Sequence, residues 1–171
     1  TRDSELETQN YQRQNRMSDL RDLYQEVILD HNRSPRNFGT LEPARAQQGH
    51  KQLCGDRLTL YLQVQGGRIV GVTFVGTGCA ISKASASMMT EAVKGRTLEE
   101  AHALFDAFHD MLTADSATGP SAAALEQLGK RAVCQGVSEY PARVKCATLA
   151  WHTLQAGLVE APAVASTESE T

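Results

Sequence analysis

The chain has 171 residues and a net charge of −3, and 41% of its residues are apolar. This length is enough for one domain with a hydrophobic core. The slightly acidic balance argues against a sequence-independent nucleic-acid binder, which needs an excess of Lys and Arg. No apolar run has the length of a membrane span, and the polar N-terminus lacks the apolar core of a secretory signal. We therefore expect a cytoplasmic protein with no nucleic-acid or membrane partner.

The N-terminal part of the chain divides into two stretches of different character. Residues 1–17 are polar and have no apolar periodicity, so we expect them to form a disordered extension. From Ser18, a residue suited to the N-cap, apolar residues recur at helical spacing. This pattern predicts a helix that ends near His31, before a loop that contains Pro35.

The middle of the chain is predicted to form a small antiparallel sheet. After a first strand at about 46–53, the stretch RLTLYLQV (57–64) alternates apolar and polar residues, as in a half-buried strand. Gly66 and Gly67 suit a two-residue hairpin turn, because glycine readily adopts positive φ. The stretch RIVGVTFV (68–75) then predicts the returning strand.

The remainder of the chain is predicted to be helical. Apolar stripes run through 81–92 and 98–112, a short Ala-rich helix closes at Gly129, and a last helix covers about 143–158. These stripes need a sheet face or each other for burial. The predicted fold class is therefore α+β, with an antiparallel sheet of about three strands packed against several helices.

These boundaries predict a single folded domain at 18–158. The tail at 159–171 has few large apolar residues, and we expect it to be disordered like the N-terminal extension.

Three of the four cysteines are predicted to lie near one end of the sheet. In a chain without an export signal, cysteines are more typical of metal binding or reactivity than of structural disulfides. Cys54 and Asp56 share the loop LCGDR, where Gly55 permits a sharp bend, and Cys79 follows the returning strand and opens a helix. Because a hairpin places the start of its first strand beside the end of its second, Cys54, Asp56 and Cys79 are expected to be neighbours.

The last helix is expected to bring a further thiol to this group. Cys146, flanked by Arg143 and Lys145, is predicted to open that helix, as Cys79 opens an earlier one. A helix N-terminus favours a thiolate, and three thiolates with one carboxylate would suit Zn²⁺. Taken singly, each cysteine is more typical of a small buried residue, and we keep that interpretation for Cys134.

Four stretches of the sequence resemble a known family. Three of them are similar to the signature blocks of the SufU-type branch of the IscU-like (NifU N-terminal-like) iron–sulfur cluster assembly proteins, and the fourth resembles its N-terminal helix and loop. They are CGDRLTLYLQV (54–64), GTGCAISKASASMM (76–89), YPARVKCATLAW (140–151) and LRDLYQEVILDHNRSPRNFG (20–39). Lys145 stands where the scaffold branch has a histidine, and Cys134 is not required by the family pattern.

The resemblance implies a zinc-dependent sulfurtransferase. Such a protein accepts persulfide sulfur from a SufS-type cysteine desulfurase and passes it to a downstream assembly complex of the SufB type. By residue-wise resemblance, Cys54, Asp56, Cys79 and Cys146 are the zinc ligands, and Cys54 is also the sulfur acceptor. Arg143 either interacts with Asp56 or the transferred sulfur, or forms a surface salt bridge.

Two other functions are compatible with the same residues. The first is a scaffold that assembles a transient [2Fe–2S] cluster on these ligands. The second is a structural zinc module that serves only as an adaptor, although a carboxylate ligand argues mildly against a closed structural site.

Overall fold

A computed structural model of the chain describes residues 2–51, 55–114, 119–159 and 164–166. The predicted fold class is confirmed, with an antiparallel sheet covered by helices. The elements in chain order are α1 (Arg2–Arg33), β1 (Arg45–Lys51), β2 (Asp56–Gln65), β3 (Arg68–Thr77), α2 (Ala80–Val93), α3 (Leu98–Thr113), α4 (Ala122–Leu128), a 3₁₀ helix (Gly129–Glu139), α5 (Pro141–Leu158) and β4 (Val164–Ser166).

The sheet has the strand order β3-β2-β1-β4. Strands β1 and β3 both pair antiparallel with β2, and the predicted hairpin turn is present, with φ of 57° at Gly66 and 71° at Gly67. β4 pairs parallel with Gln48–His50 at the outer edge of β1. The expectation of a disordered tail did not include this short strand, which gives the β1 edge a backbone hydrogen-bonding partner.

The described helices cover one face of the sheet. Along β2, Leu58, Leu60 and Leu62 are buried while the alternate residues are half-buried or exposed. Helices α2 and α5 pack against each other and against the strands, and both are buried over most of their length. The core continues between α3 and α5, where the rings of Phe108 and Trp151 stack at 4.6 Å. Among the described helices, none is long and apolar enough to cross a membrane.

The first helix differs from its predicted start. It begins at Arg2, whereas the sequence pattern indicated Ser18 and a disordered stretch before it. The described side chains of this helix before Tyr24 are exposed, including Leu6 and Tyr11. Helical backbone hydrogen bonds are local and need no apolar stripe, so Glu, Gln, Arg and Leu can extend a helix beyond the core.

A buried hydroxyl joins α1, the following loop and α2. Ser87 Oγ lies 2.7 Å from His31 Nδ1 and accepts a hydrogen bond from the Arg36 backbone N–H, also at 2.7 Å. His31 and Ser87 are both buried. The hydroxyl therefore satisfies two polar groups that water does not readily reach.

We expect Ser87→Ala to lower the free energy of unfolding by about 1–3 kcal/mol, because it removes a partner from two buried polar groups. Chemical denaturation of the variant and the parent protein measures this loss. Ser138→Ala is the matched control, because its hydroxyl is exposed and donates only to the nearby Gln135 carbonyl. Equal stability of the two variants would contradict the role given to Ser87.

Candidate metal centre

Three potential metal ligands converge at one end of the sheet. The ligand atoms of Asp56, Cys79 and Cys146 all lie within 4.8 Å of one another. Asp56 opens β2, Cys79 is the N-cap of α2, and Cys146 lies in the second turn of α5. Residues that are 90 positions apart in the chain thus form one group, as the sequence predicts for these three side chains.

The Asp56 carboxylate is buried and held by the segment that follows β3. Only 1% of the residue is exposed. Its Oδ1 accepts a hydrogen bond from the Cys79 backbone N–H at 2.9 Å, and its Oδ2 lies 3.6 Å from Cys79 Sγ. A buried carboxylate needs such partners, because an unpaired charge is strongly disfavoured away from water.

Gly78 permits this close approach of the carboxylate. A Cβ atom at this position would lie 2.7 Å from Asp56 Oδ1 and 3.0 Å from Asp56 Cγ. Both distances are shorter than van der Waals contact, so any side chain at position 78 would displace the carboxylate.

We expect Gly78→Ala to weaken metal binding by about tenfold or more, because it moves a buried ligand while retaining every ligand side chain. Competition with a chromogenic zinc chelator measures the change in affinity. Gly136→Ala is the matched control, since the nearest neighbour of its Cβ would be the Tyr24 ring at an ordinary 3.8 Å. Unchanged zinc affinity in Gly78→Ala would show that Asp56 is not placed by this contact.

Cys79 is favoured as a thiolate. A hydrogen bond from Cys146 is the largest influence that lowers its pKa, and backbone N–H groups of Ser82 and Ile81 add to it. Burial and the negative charge of Asp56 oppose them, and the resulting pKa is about 6, well below the usual value near 9. The cysteine is the N-cap of α2, and its sulfur accepts from the Ser82 N–H at 3.4 Å. This confirms the sequence prediction for its position.

Cys146 is not at a helix N-terminus, and that prediction is wrong. Helix α5 begins at Pro141, so Cys146 is its sixth residue. Proline favours the first helical position because it has no N–H to leave unpaired. Cys146 Sγ lies 3.5 Å from the Ala142 carbonyl of the preceding turn, which points the sulfur toward the start of the helix.

Arg143 lies beside the two thiol groups in the first turn of α5. The guanidinium is exposed, and its pKa is raised chiefly by the charge of the Cys79 thiolate and by a hydrogen bond with Cys146. Arg143 therefore interacts with both sulfurs while staying accessible from outside.

The two other cysteines of the chain are Cys54 and Cys134. Cys54, the predicted fourth ligand, falls in 52–54, outside the described residues. Gly55, which follows it, has φ of 71°, as expected for a sharp bend into β2. Cys134 is buried, lies outside the ligand group, and has its pKa raised to about 12 by burial.

Sequence reasoning missed Tyr24. It lies in the helix that the apolar spacing after Ser18 predicts, and its half-buried phenol has a pKa raised to about 12. Burial is the main cause, followed by the nearby charges of Cys134 and Cys79. A tyrosine at an apolar position of a helix looks the same in the sequence whether it only packs in the core or also lies near reactive thiols. No sequence signal therefore separates these two placements.

The donor set fits Zn²⁺. Two thiol sulfurs and a carboxylate oxygen are ligands that zinc binds in proteins, commonly in four-coordinate sites. One sulfur, that of Cys79, is favoured as a thiolate, which is the charge state in which a thiol binds a cation. A further thiol, that of Cys54, lies two positions before Asp56 in the sequence.

Two known proteins are similar to this chain over most of its length. The zinc-dependent sulfurtransferase SufU of Bacillus subtilis is 40% identical over 143 residues, which cover 84% of this chain and 94% of that protein. The iron–sulfur cluster assembly scaffold protein IscU of Streptococcus pyogenes is 40% identical over 81% of this chain and 84% of its own length.

The solved structures agree with these relatives. The crystal structure of a putative iron–sulfur cluster assembly scaffold protein from Fervidobacterium islandicum matches with a TM-score of 0.71 and 35% identity. The match covers 80% of this chain and 96% of that one. The family model for the NifU-like N-terminal domain matches residues 23–160. The chain therefore belongs to the family of NifU-like N-terminal domains and has an IscU/SufU-like fold.

Proposed function

We propose that this protein is a zinc-dependent sulfurtransferase that takes persulfide sulfur from a cysteine desulfurase and relays it to iron–sulfur cluster assembly. The observation that carries the proposal is the convergence of Asp56, Cys79 and Cys146, the first of which follows Cys54 by two positions in the sequence. The name of the Bacillus relative supports it, since that protein shares 40% identity over nearly its whole length.

In this proposal Asp56, Cys79 and Cys146 hold zinc together with Cys54. Bound zinc keeps thiols deprotonated at neutral pH and has no redox chemistry of its own. One carboxylate among thiolates favours an exchangeable site over the closed structural type. That preference argues against a purely structural adaptor.

Cys54 is the proposed sulfur acceptor. Its thiolate attacks the terminal sulfur of the donor persulfide, so that a new S–S bond forms on Cys54 while the donor S–S bond breaks. The donor cysteine leaves as a thiolate, the transferred sulfur keeps its proton, and no external oxidant or reductant is needed. Arg143 can stabilise the negative sulfur during this exchange, because its exposed guanidinium already interacts with the neighbouring thiols.

The direct test measures cysteine-desulfurase turnover with and without this protein. A SufS-type enzyme with cysteine as substrate should form alanine faster when the protein is added, and mass spectrometry should find added sulfur on Cys54. Unstimulated turnover and no added sulfur would contradict the proposal. A later transfer to a SufB-type complex is tested by following the same sulfur onto that complex.

A scaffold that assembles a [2Fe–2S] cluster is the second candidate. It is favoured by the relative from Streptococcus pyogenes, which is named a scaffold and is also 40% identical. Purified protein distinguishes the two functions. One zinc per chain and no visible absorption favours transfer, whereas iron with a brown colour favours the scaffold.

Metal removal should destabilise the fold. The ligands lie on β2, α2 and α5, so a bound ion links three separate elements, and its binding energy adds to stability. We expect chelation to lower Tm by about 5 °C or more, and added zinc to restore it. An unchanged melting curve after verified zinc removal would contradict this expectation.

A further inference from the structure

The candidate site is bordered by cations that the proposed zinc chemistry does not use. Arg57 follows the ligand Asp56, and Lys83 follows Cys79 by one helical turn. The Lys83 backbone N–H donates to the Cys79 carbonyl at 3.1 Å, which ties it to the start of α2. Together with Arg143, these residues place a positive charge within four positions of each described ligand.

Arg57 and Lys83 belong to one surface beside the thiols. Both residues line a shallow cleft that includes Gly76–Gly78, the segment leading to Cys79. Arg57 is exposed, whereas the neighbouring Asp56 is buried. The cleft is therefore positive and adjoins the metal ligands without containing them.

An exposed aromatic ring completes this surface. Phe38 is 47% exposed, and Lys83 Nζ lies 5.1 Å from the centre of its ring. The ring is held edge-on against the buried Phe74, at a centroid distance of 5.2 Å. Aromatic residues and arginine are enriched at protein interfaces, and this surface presents one exposed example of each, Phe38 and Arg57.

Apart from the contact of Lys83 with the Phe38 ring, the two cations have no charged partner in the described part of the chain. No carboxylate of the described side chains pairs with Arg57 or Lys83, whereas Arg36 at the other end of α2 pairs with Asp30 and Glu91. The cleft cations are thus available to a partner.

We propose that Arg57, Lys83 and Phe38 form a docking surface for an acidic segment of the protein that delivers sulfur to this site. The inference rests on the proposed function, because it identifies how the sulfur donor is recognised. The chain as a whole has a net charge of −3, so this local positive surface orients an acidic partner toward the thiols. An apolar contact with Phe38 adds affinity at short range.

The test uses the full chain with bound zinc and a purified SufS-type cysteine desulfurase. Binding is measured by surface plasmon resonance at several NaCl concentrations, for the parent protein and for Lys83→Glu and Arg57→Glu. We expect association of the parent to slow as salt rises. Each charge reversal should lower the association rate constant about tenfold at low salt and flatten the salt dependence.

Lys94→Glu is the matched control. Lys94 is an exposed lysine at the C-cap of the same helix, far from the thiols, and its reversal should leave association unchanged. Phe38→Ala should raise the dissociation rate with little effect on the salt dependence. Zinc content of every variant verifies that the metal site is intact.

A second measurement separates this proposal from the proposed function. Polysulfide donates sulfur without docking, so Lys83→Glu should accept sulfur from it at the parent rate. If the parent and both charge reversals accept sulfur from the desulfurase at the same rate, the docking surface is contradicted and the sulfurtransferase proposal stands. If the parent binds in a salt-dependent way, both charge reversals lose this binding, and the parent transfers no sulfur, the docking surface is supported and the sulfurtransferase activity is contradicted. Salt-independent binding, or no binding, would overturn the docking surface.

Discussion

Cys54→Ala is expected to reduce desulfurase stimulation to the level of the enzyme alone. Cys54, which the sequence predicts to lie on a loop, precedes Gly55 with its positive φ, whereas Cys79 and Cys146 are held by helices. The ligand on the loop can leave the metal with the least structural change, which makes it the best placed to meet a donor persulfide. Zinc should still be held by Asp56, Cys79 and Cys146, so loss of transfer would not simply reflect loss of metal.

Cys134→Ala is the control for this experiment. Its thiol is buried and protonated at neutral pH, so neither zinc content nor transfer should change. Persulfide labelling by mass spectrometry identifies the acceptor in each variant. Labelled Cys134 or Cys146, together with an active Cys54→Ala variant, would overturn the assignment.

In the zinc-free protein, Cys79 should be alkylated several orders of magnitude faster than Cys134. The pKa of Cys79 is about 6, and that of Cys134 is about 12. At pH 7 about nine-tenths of Cys79 is thiolate, compared with on the order of one Cys134 in 10⁵. The thiolate of Cys79 is less basic and therefore intrinsically less nucleophilic, which reduces the ratio of the two alkylation rates. Burial of Cys134 slows its own reaction and increases that ratio.

The pH dependence of the Cys79 alkylation rate tests the direction of its pKa shift. Because the pKa of Cys79 is lowered, its rate with iodoacetamide should be nearly constant above pH 7 and fall as pH drops through about 6. Cys146→Ala should raise this midpoint, since the hydrogen bond from Cys146 is the largest influence that lowers it. Peptide mapping after timed labelling measures each rate. In guanidinium the two cysteines should react alike, and a Cys79 midpoint near 9 in the folded protein would contradict the structure.

Local signals in the sequence were sufficient for most of the secondary structure. The Gly66–Gly67 turn and the alternation along β2 are both present as predicted. Each depends on backbone conformation or hydrogen bonds among residues close in the chain. The start of α5 was misplaced although Pro141 itself carries the signal for a first helical position.

The site was only partly determined by the sequence. The hairpin brings Asp56 to Cys79 through strand pairing, which a short-range pattern predicts. The arrival of Cys146 and the exclusion of Cys134 depend on how α5 and the 3₁₀ helix pack, over separations that no local pattern encodes.

The sequence by itself determined the hairpin, the N-cap position of Cys79 and the residue types of the donor set, because these follow from local backbone preferences and ligand chemistry. Only the tertiary structure decided that Arg143 interacts with both sulfurs, that Tyr24 lies near Cys79, and that Arg57 and Lys83 share one cleft. The physical reason is that helix and strand patterns specify which face of an element is buried. Which side chains then meet is set by packing among several elements at once.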